Sequence, residues 1–190
     1  IEEAQSPGVR VHLVACLGKA RIPLQVDIGF GDPITPGPVA LKFPGMLDFP
    51  SPTLRAYPVE TVVAEKFESL VRLGMRTSRI KDFYDLWYIA THFSFEGPIL
   101  QRATQATFRA RGTPLPAEPP IGLTDEFEAD GSKQTLWKAF AGRAGIASPG
   151  SLAEVLPVLR GFLLPVGLQM PGMFLAQWSP GGPWRDRGRE

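Results

Sequence analysis

Four side chains in this sequence are of the types that handle phosphate: Asp27, Lys66, Asp82 and Asp85. Asp27 is the lone carboxylate inside an apolar run, Leu24-Gln-Val-Asp-Ile-Gly-Phe-Gly-Asp32. Lys66 belongs to Ala64-Glu-Lys-Phe67, and the two acids belong to Arg79-Ile-Lys-Asp-Phe-Tyr-Asp85. Metal-assisted phosphoryl transfer needs an acid on a strand edge to hold Mg²⁺ and a nearby cation to hold phosphate. The question is whether the chain has elements that bring these residues together.

The pattern supplies such elements. Val9, Val11, Leu13 and Ala15 alternate as on a half-buried strand, Gly18-Lys19 makes a turn, and Ile22–Phe30 is a second strand, so the two predict a β-hairpin. On the second strand Val26, Ile28 and Phe30 share one face, and Gln25, Asp27 and Gly29 share the other. The stretch from Asp32 to Pro58 holds seven prolines and predicts irregular chain with two short strands, Val39–Phe43 and Thr53–Ala56. Pro58 to Gly74 reads as a helix with Glu60 in its first turn and Val63, Phe67, Leu70 and Val71 as its apolar stripe. Further helices are predicted over Ile80–His92 and Pro98–Arg111. A Pro-rich linker, Thr113–Pro120, precedes helices over Ser132–Gly145, Ser151–Leu164 and Leu168–Gln177, and a loose tail, Ser179–Glu190. The expected organisation is a sheet portion (1–58), a helical part carrying Lys66, Asp82 and Asp85 (59–112), and a linker with a helical C-terminal region (113–190).

Bulk properties narrow the class. The chain has 190 residues, 44% of them hydrophobic, which is enough for one packed domain with an extension. A net charge of +1 gives no global pull toward nucleic acid or membrane, so any nucleic-acid site has to be a local patch. Cys16 is the only cysteine, which suits a reducing compartment and reads as a small core residue. The longest apolar stretch, Gly161–Ala176, is broken by Pro165 and Pro171 and falls short of the roughly 20 residues of a membrane helix. No leader-like stretch is visible, and the expectation is a cytoplasmic protein. His12 and His92 lack ligand-spaced partners, and there is neither a glycine-rich phosphate loop nor a G-x-S-x-G elbow.

Each candidate has a plain alternative. Asp27 could be an acid on the solvated face of a two-faced strand, although its apolar neighbours suggest a central strand where an unpaired carboxylate is costly. Asp32 could be a second ligand, but Asp32-Pro33 reads better as a turn opener. Lys66 alone would pass for an exposed lysine, yet its three donors and point charge suit a triphosphate. Asp82 and Asp85, three apart on one helix side, repel unless a cation stands between them. They could form a solvated network with Arg79 and Lys81, orient Lys66 or Arg79, or activate a hydroxyl nucleophile. Arg76, Arg79 and Lys81, with Arg72, Arg102, Arg109 and Arg111, could form a phosphate-backbone patch.

The stretch Val9–Arg111 resembles the AbiEii/AbiGii toxin family of nucleotidyltransferase-like proteins. The residues that carry the resemblance are Ile22-Pro-Leu-Gln-Val-Asp-Ile-Gly-Phe-Gly-Asp32, Tyr57-Pro-Val-Glu-Thr-Val-Val-Ala-Glu-Lys-Phe-Glu68 and Ser78-Arg-Ile-Lys-Asp-Phe-Tyr-Asp-Leu-Trp87. Trp137-Lys-Ala-Phe140, Phe162-Leu-Leu-Pro165 and Pro180-Gly-Gly-Pro-Trp184 extend it over nearly the whole chain. The resemblance implies an α+β fold, the C-terminal part of a polymerase-β-like nucleotidyltransferase (a small mixed sheet with helices) plus a helical C-terminal region. It implies a toxin of a bacterial toxin–antitoxin or phage-resistance system, with an antitoxin as partner. The activity implied is Mg²⁺-dependent transfer of a nucleotide from an NTP to RNA, tRNA foremost. On that resemblance Asp27 is a metal-associated carboxylate, Lys66 holds the triphosphate, and Asp82 or Asp85 is catalytic. The family's upstream Gly-Gly/Ser element and Asp-x-Asp pair have no counterpart in these residues, so the chain reads as N-terminally truncated. Two-metal transfer needs several carboxylates around ions roughly 3.5–4 Å apart, and Asp27 alone does not supply them. The expectation is therefore an inactive piece that binds Mg²⁺–NTP weakly, with an exposed apolar strand edge that promotes association. The alternative is a non-catalytic remnant that binds antitoxin or RNA.

Overall fold

A computed structural model of the chain describes residues 8–145, 149–169 and 172–186. The chain divides into two compact units, Ile1–Pro33 and Ile34–Glu190. The start of the chain, residues 170 and 171 inside the expected 168–177 helix, and the end of the expected tail beyond 186 lie outside the described residues.

The first unit is a hairpin. Strand β1 (Gly8–Leu17) pairs antiparallel with β2 (Ala20–Gly29), in a register that sets Val9 opposite Ile28, Leu13 opposite Leu24 and Leu17 opposite Ala20. Gly18 takes a φ of +59° in the two-residue connection, a conformation that turns of this kind demand and that side chains resist. Because side chains alternate, the register sorts the pair into two unlike faces. One carries Val9, Val11, Leu13, Ala15, Leu17, Ala20, Ile22, Leu24, Val26 and Ile28. The other carries Arg10, His12, Cys16, Arg21, Gln25 and Asp27. The sequence pattern placed Cys16 in a core; it is exposed, because its strand position points it to the polar face beside Arg21. Among the described residues β2 has β1 as its one neighbour, so it is not the central strand its apolar run suggested.

The second unit begins with another antiparallel pair, β3 (Val39–Lys42) and β4 (Thr53–Ala56). Helices α1 (Val59–Leu73), α2 (Ile80–His92) and α3 (Gly97–Ala110) follow, with β5 (Phe95–Glu96) between the last two. Then come α4 (Asp125–Ala129), α5 (Gly131–Ala144), α6 (Leu152–Gly167), β6 (Ala176–Trp178) and β7 (Trp184–Asp186). The described pairings are all antiparallel, with β5-β6-β7 forming a three-stranded sheet, so the sheets are small and antiparallel where a mixed sheet was expected. The fold class is α+β as expected.

The core is built by helix stripes. Val63, Phe67 and Leu70 of α1, Phe83, Leu86 and Ala90 of α2, Leu100 and Phe108 of α3, and Leu159, Phe162 and Leu163 of α6 form one cluster, in which α1 packs chiefly on α3 and α6 on α2 and α3. Helix α6 runs through Pro165 to Gly167, past the expected end at Leu164. Gly167 explains the close approach: a Cβ there would lie 2.1 Å from the Phe67 ring. The segment expected to be a helix over Leu168–Gln177 ends instead in strand β6, and the tail is not loose as far as it is described. Trp178 donates its indole N–H to the Ala90 carbonyl, and Trp184 donates to the Phe162 carbonyl. Burying two indoles with their donors satisfied outweighs the weak helix pattern of that stretch.

Candidate functional site

Helix α1 carries Lys66 on its flank, between buried Ala64 and Phe67, and α2 carries Asp82 in its first turn and Asp85 in its second. Packing of the two apolar stripes therefore aims the lysine at both acids. Lys66 Nζ donates to Asp82 Oδ1 at 2.5 Å and to Asp85 Oδ2 at 2.8 Å. Arg79 Nε donates to the other oxygen of Asp82 at 2.6 Å, and Lys81 Nζ donates to Asp85 Oδ2 at 2.6 Å. The result is an alternating chain of charges, Arg79–Asp82–Lys66–Asp85–Lys81, with one excess positive charge. A cation does stand between the two acids, as their spacing required.

The environment sharpens these charges. Burial opposes the ammonium of Lys66, but its hydrogen bonds to Asp82 and Asp85 outweigh burial and hold it above the ordinary lysine range. Burial likewise opposes the Asp82 carboxylate, and the bonds from Lys66 and Arg79 overcome it and hold Asp82 below the usual carboxylate range. Lys66 is only 19% exposed at its side chain, so it is not the ordinary surface lysine that its sequence position allowed. A compact ammonium with one donor left over is suited to an anionic oxygen.

Of the basic candidates, Arg79 and Lys81 are drawn into this chain, and Arg76 is exposed. Arg72 and Arg111 are used elsewhere. Both bind Glu68, a fully buried carboxylate, Arg72 at 3.1 Å and Arg111 at 3.0 Å, and Thr113 donates to it at 2.7 Å. Sequence reasoning gave Glu68 no part. Its signal was an acid next to Phe67 on the apolar stripe of α1, with Arg72 one turn on. Lys133 of α5 was missed too: it is buried, donates to the Thr77 carbonyl at 2.8 Å, and lies over the Phe127 ring. Thr77 lies in the turn that leads into Arg79 and α2, so α5 holds the chain that presents the cluster.

Asp27 belongs to the hairpin unit. Arg10, directly opposite on β1, donates Nε to Oδ1 at 2.6 Å and Nη2 to Oδ2 at 3.2 Å, and Gln25 adds a bond at 3.0 Å. Those hydrogen bonds, Arg10's foremost, hold the carboxyl below its usual range although it is 57% exposed. Asp32 folds back so that its carboxylate lies 3.3 Å from where a Cβ on Gly29 would stand. Among the described residues no three His, Cys, Asp or Glu side chains are grouped to hold a metal. One carboxylate already engaged by a guanidinium is a poor fit to Mg²⁺, which takes near-octahedral oxygen ligands.

A family model for the nucleotidyl transferase AbiEii toxin, of Type IV toxin–antitoxin systems, matches residues 1–156. The chain belongs to the AbiEii toxin family. The match spans the hairpin, Lys66, Asp82, Asp85 and the helices as far as α6. No curated protein and no solved structure matches it. Membership makes this chain's family one of toxins with a cognate antitoxin, and gives it a nucleotidyltransferase-like fold. Among the described residues no helix is long and apolar enough to cross a membrane.

Proposed function

We propose that the chain is the toxin component of a toxin–antitoxin system acting in phage resistance, and that it transfers a nucleotide from an NTP to RNA, with tRNA as the first candidate, in the cytoplasm. One observation carries this reading: Lys66 is held half-buried between Asp82 and Asp85 with a donor to spare. Lys66 takes an oxygen of the triphosphate, and Arg79 and Lys81 extend the positive field along α2. Arg76, Arg79 and Lys81 are the residues proposed for the RNA phosphates. Asp82 and Asp85 supply the acids of the site. Mg²⁺ belongs to the proposal as the companion of the triphosphate, whose own oxygens would supply most of its ligands.

The experiment is label transfer. The chain is incubated with each α-labelled NTP, Mg²⁺ and total tRNA, with and without the Lys66→Met change. Labelled RNA that falls at least a hundredfold in Lys66→Met supports the proposal. Tight NTP binding in calorimetry, with no RNA labelled by any of the four, defeats it.

A second reading, a non-catalytic module that binds antitoxin or RNA, is favoured by the lack of a grouped metal site among the described residues. It requires RNA or antitoxin binding that Lys66→Met leaves unchanged.

A further inference from the structure

We infer that Asp82 and Asp85 do different jobs: Asp82 is a positioning residue that fixes Lys66, and Asp85 is the catalytic residue that receives the attacking ribose hydroxyl. This rests on the reading of the chain as a nucleotidyltransferase.

The two acids look alike in sequence but not in bonding. Asp82 has both oxygens committed, Oδ1 to Lys66 and Oδ2 to Arg79, and its side chain is 10% exposed. Each of its oxygens already faces a cation, so a substrate hydroxyl would have to share an oxygen with one of them. Asp85 is 20% exposed, and both of its hydrogen bonds, from Lys66 and Lys81, arrive at Oδ2. Its Oδ1 takes no hydrogen bond among the described residues. A carboxylate oxygen accepts readily from a hydroxyl, and one left open beside a phosphate-binding cation is placed for that. Crowding two ammonium groups onto Oδ2 also has a use. Lys66 and Lys81 offset the repulsion that a triphosphate would meet from Asp85. Lys66 has three donors and spends two on the acids, so it can add a phosphate oxygen without releasing Asp82.

The step balances as follows. The ribose hydroxyl gives its proton to Asp85 Oδ1 as its oxygen bonds to the α-phosphorus. The bond from that phosphorus to the oxygen bridging the β-phosphate breaks, and pyrophosphate leaves with the electron pair. Asp85 then returns the proton to water. Asp82 takes no proton at any stage.

The test compares Asp82→Asn, Asp82→Glu and Asp85→Asn in the full chain by three readouts. In nuclear magnetic resonance of the Lys66 ammonium, Asp82→Asn is expected to free the group and speed its proton exchange, while Asp85→Asn leaves it held. Inorganic tripolyphosphate is expected to bind about tenfold more weakly to Asp82→Asn, with partial rescue in Asp82→Glu, and within about twofold of wild type to Asp85→Asn. Transfer to RNA at saturating NTP is expected to fall about a hundredfold in Asp85→Asn, the scale of a lost general base. Equal loosening of Lys66 by both asparagine variants would overturn the division, as would a loss of tripolyphosphate affinity in Asp85→Asn matching that in Asp82→Asn. A wild-type chain that binds tripolyphosphate but labels no RNA sinks the transfer reading and Asp85's part with it. Asp82's part still stands or falls on the Lys66 resonance.

Discussion

Leu24 on β2 and Phe67 on α1 sit in comparably apolar stretches, yet Leu24 is 46% exposed and Phe67 is fully buried. The difference lies in what covers each element. The hairpin unit is a single layer, and among its described residues nothing forms a second layer on its ten-residue apolar face. The helices pack stripe to stripe, α1 against α3 and α6 over both α2 and α3. An apolar face stabilises a fold only when another apolar face removes it from water. Most of the folding free energy of this chain should therefore reside in the helical unit, and the hairpin should be locally soft.

Substitution in the two regions gives the largest contrast. Phe67→Ala is expected to cost about 3–5 kcal/mol, the usual range for a buried phenylalanine. Leu24→Ala is expected to stay within about 0.5 kcal/mol, as for an exposed site. Urea unfolding of the two variants measures the gap, and equal losses would mean that the hairpin face is covered in solution. Gly167→Ala comes next. The new methyl group would run into the Phe67 ring, so a loss of about 1–3 kcal/mol is expected, the range for overpacking, and Phe67→Leu in the same chain should recover part of it.

The charged cluster gives a smaller effect that depends on pH. The carboxyl of Asp82 is lowered in the folded state, so its contribution is present above about pH 4 and fades as pH falls further. The ammonium of Lys66 is raised, so its contribution is full below about pH 10.4 and is lost as pH climbs through the folded value. Urea midpoints between pH 3 and pH 7 should rise with pH in wild type and rise less in Asp82→Asn; parallel curves would refute the assignment. The smallest effect belongs to the hairpin. Arg10→Ala removes an ion pair exposed at both ends, and no measurable shift in Tm is expected.

Much of this was legible in the sequence, for physical reasons that differ by element. Alternation from Val9 to Ala15 and from Val26 to Phe30 gave the hairpin and its faces, because a two-residue period admits one geometry. Glu60, Gly74 and the Val63–Phe67–Leu70 stripe bounded α1 to within a residue. The meeting of Lys66 with Asp82 and Asp85 was legible only as a type of chemistry, since helices that bring distant residues together leave no local mark of their crossing. The β5-β6-β7 sheet was invisible because strands of two or three residues carry no measurable period. Asp27 was read as a costly lone acid because its partner Arg10 lies seventeen residues away, across the register.

Lys133 spends a buried positive charge on one backbone oxygen, that of Thr77. All four residues first singled out for chemistry precede residue 112, and a minimal fragment ending there looks attractive on paper. Such a fragment would discard the tether on the turn into α2, together with the α6 wall against which α2 and α3 stack. The stretch that carries the proposed site and the stretch that holds it in place thus end at different residues. Stop codons in the segment 113–130 should abolish the proposed transfer to RNA as completely as Lys66→Met does, though they remove none of the site's acids or its lysine.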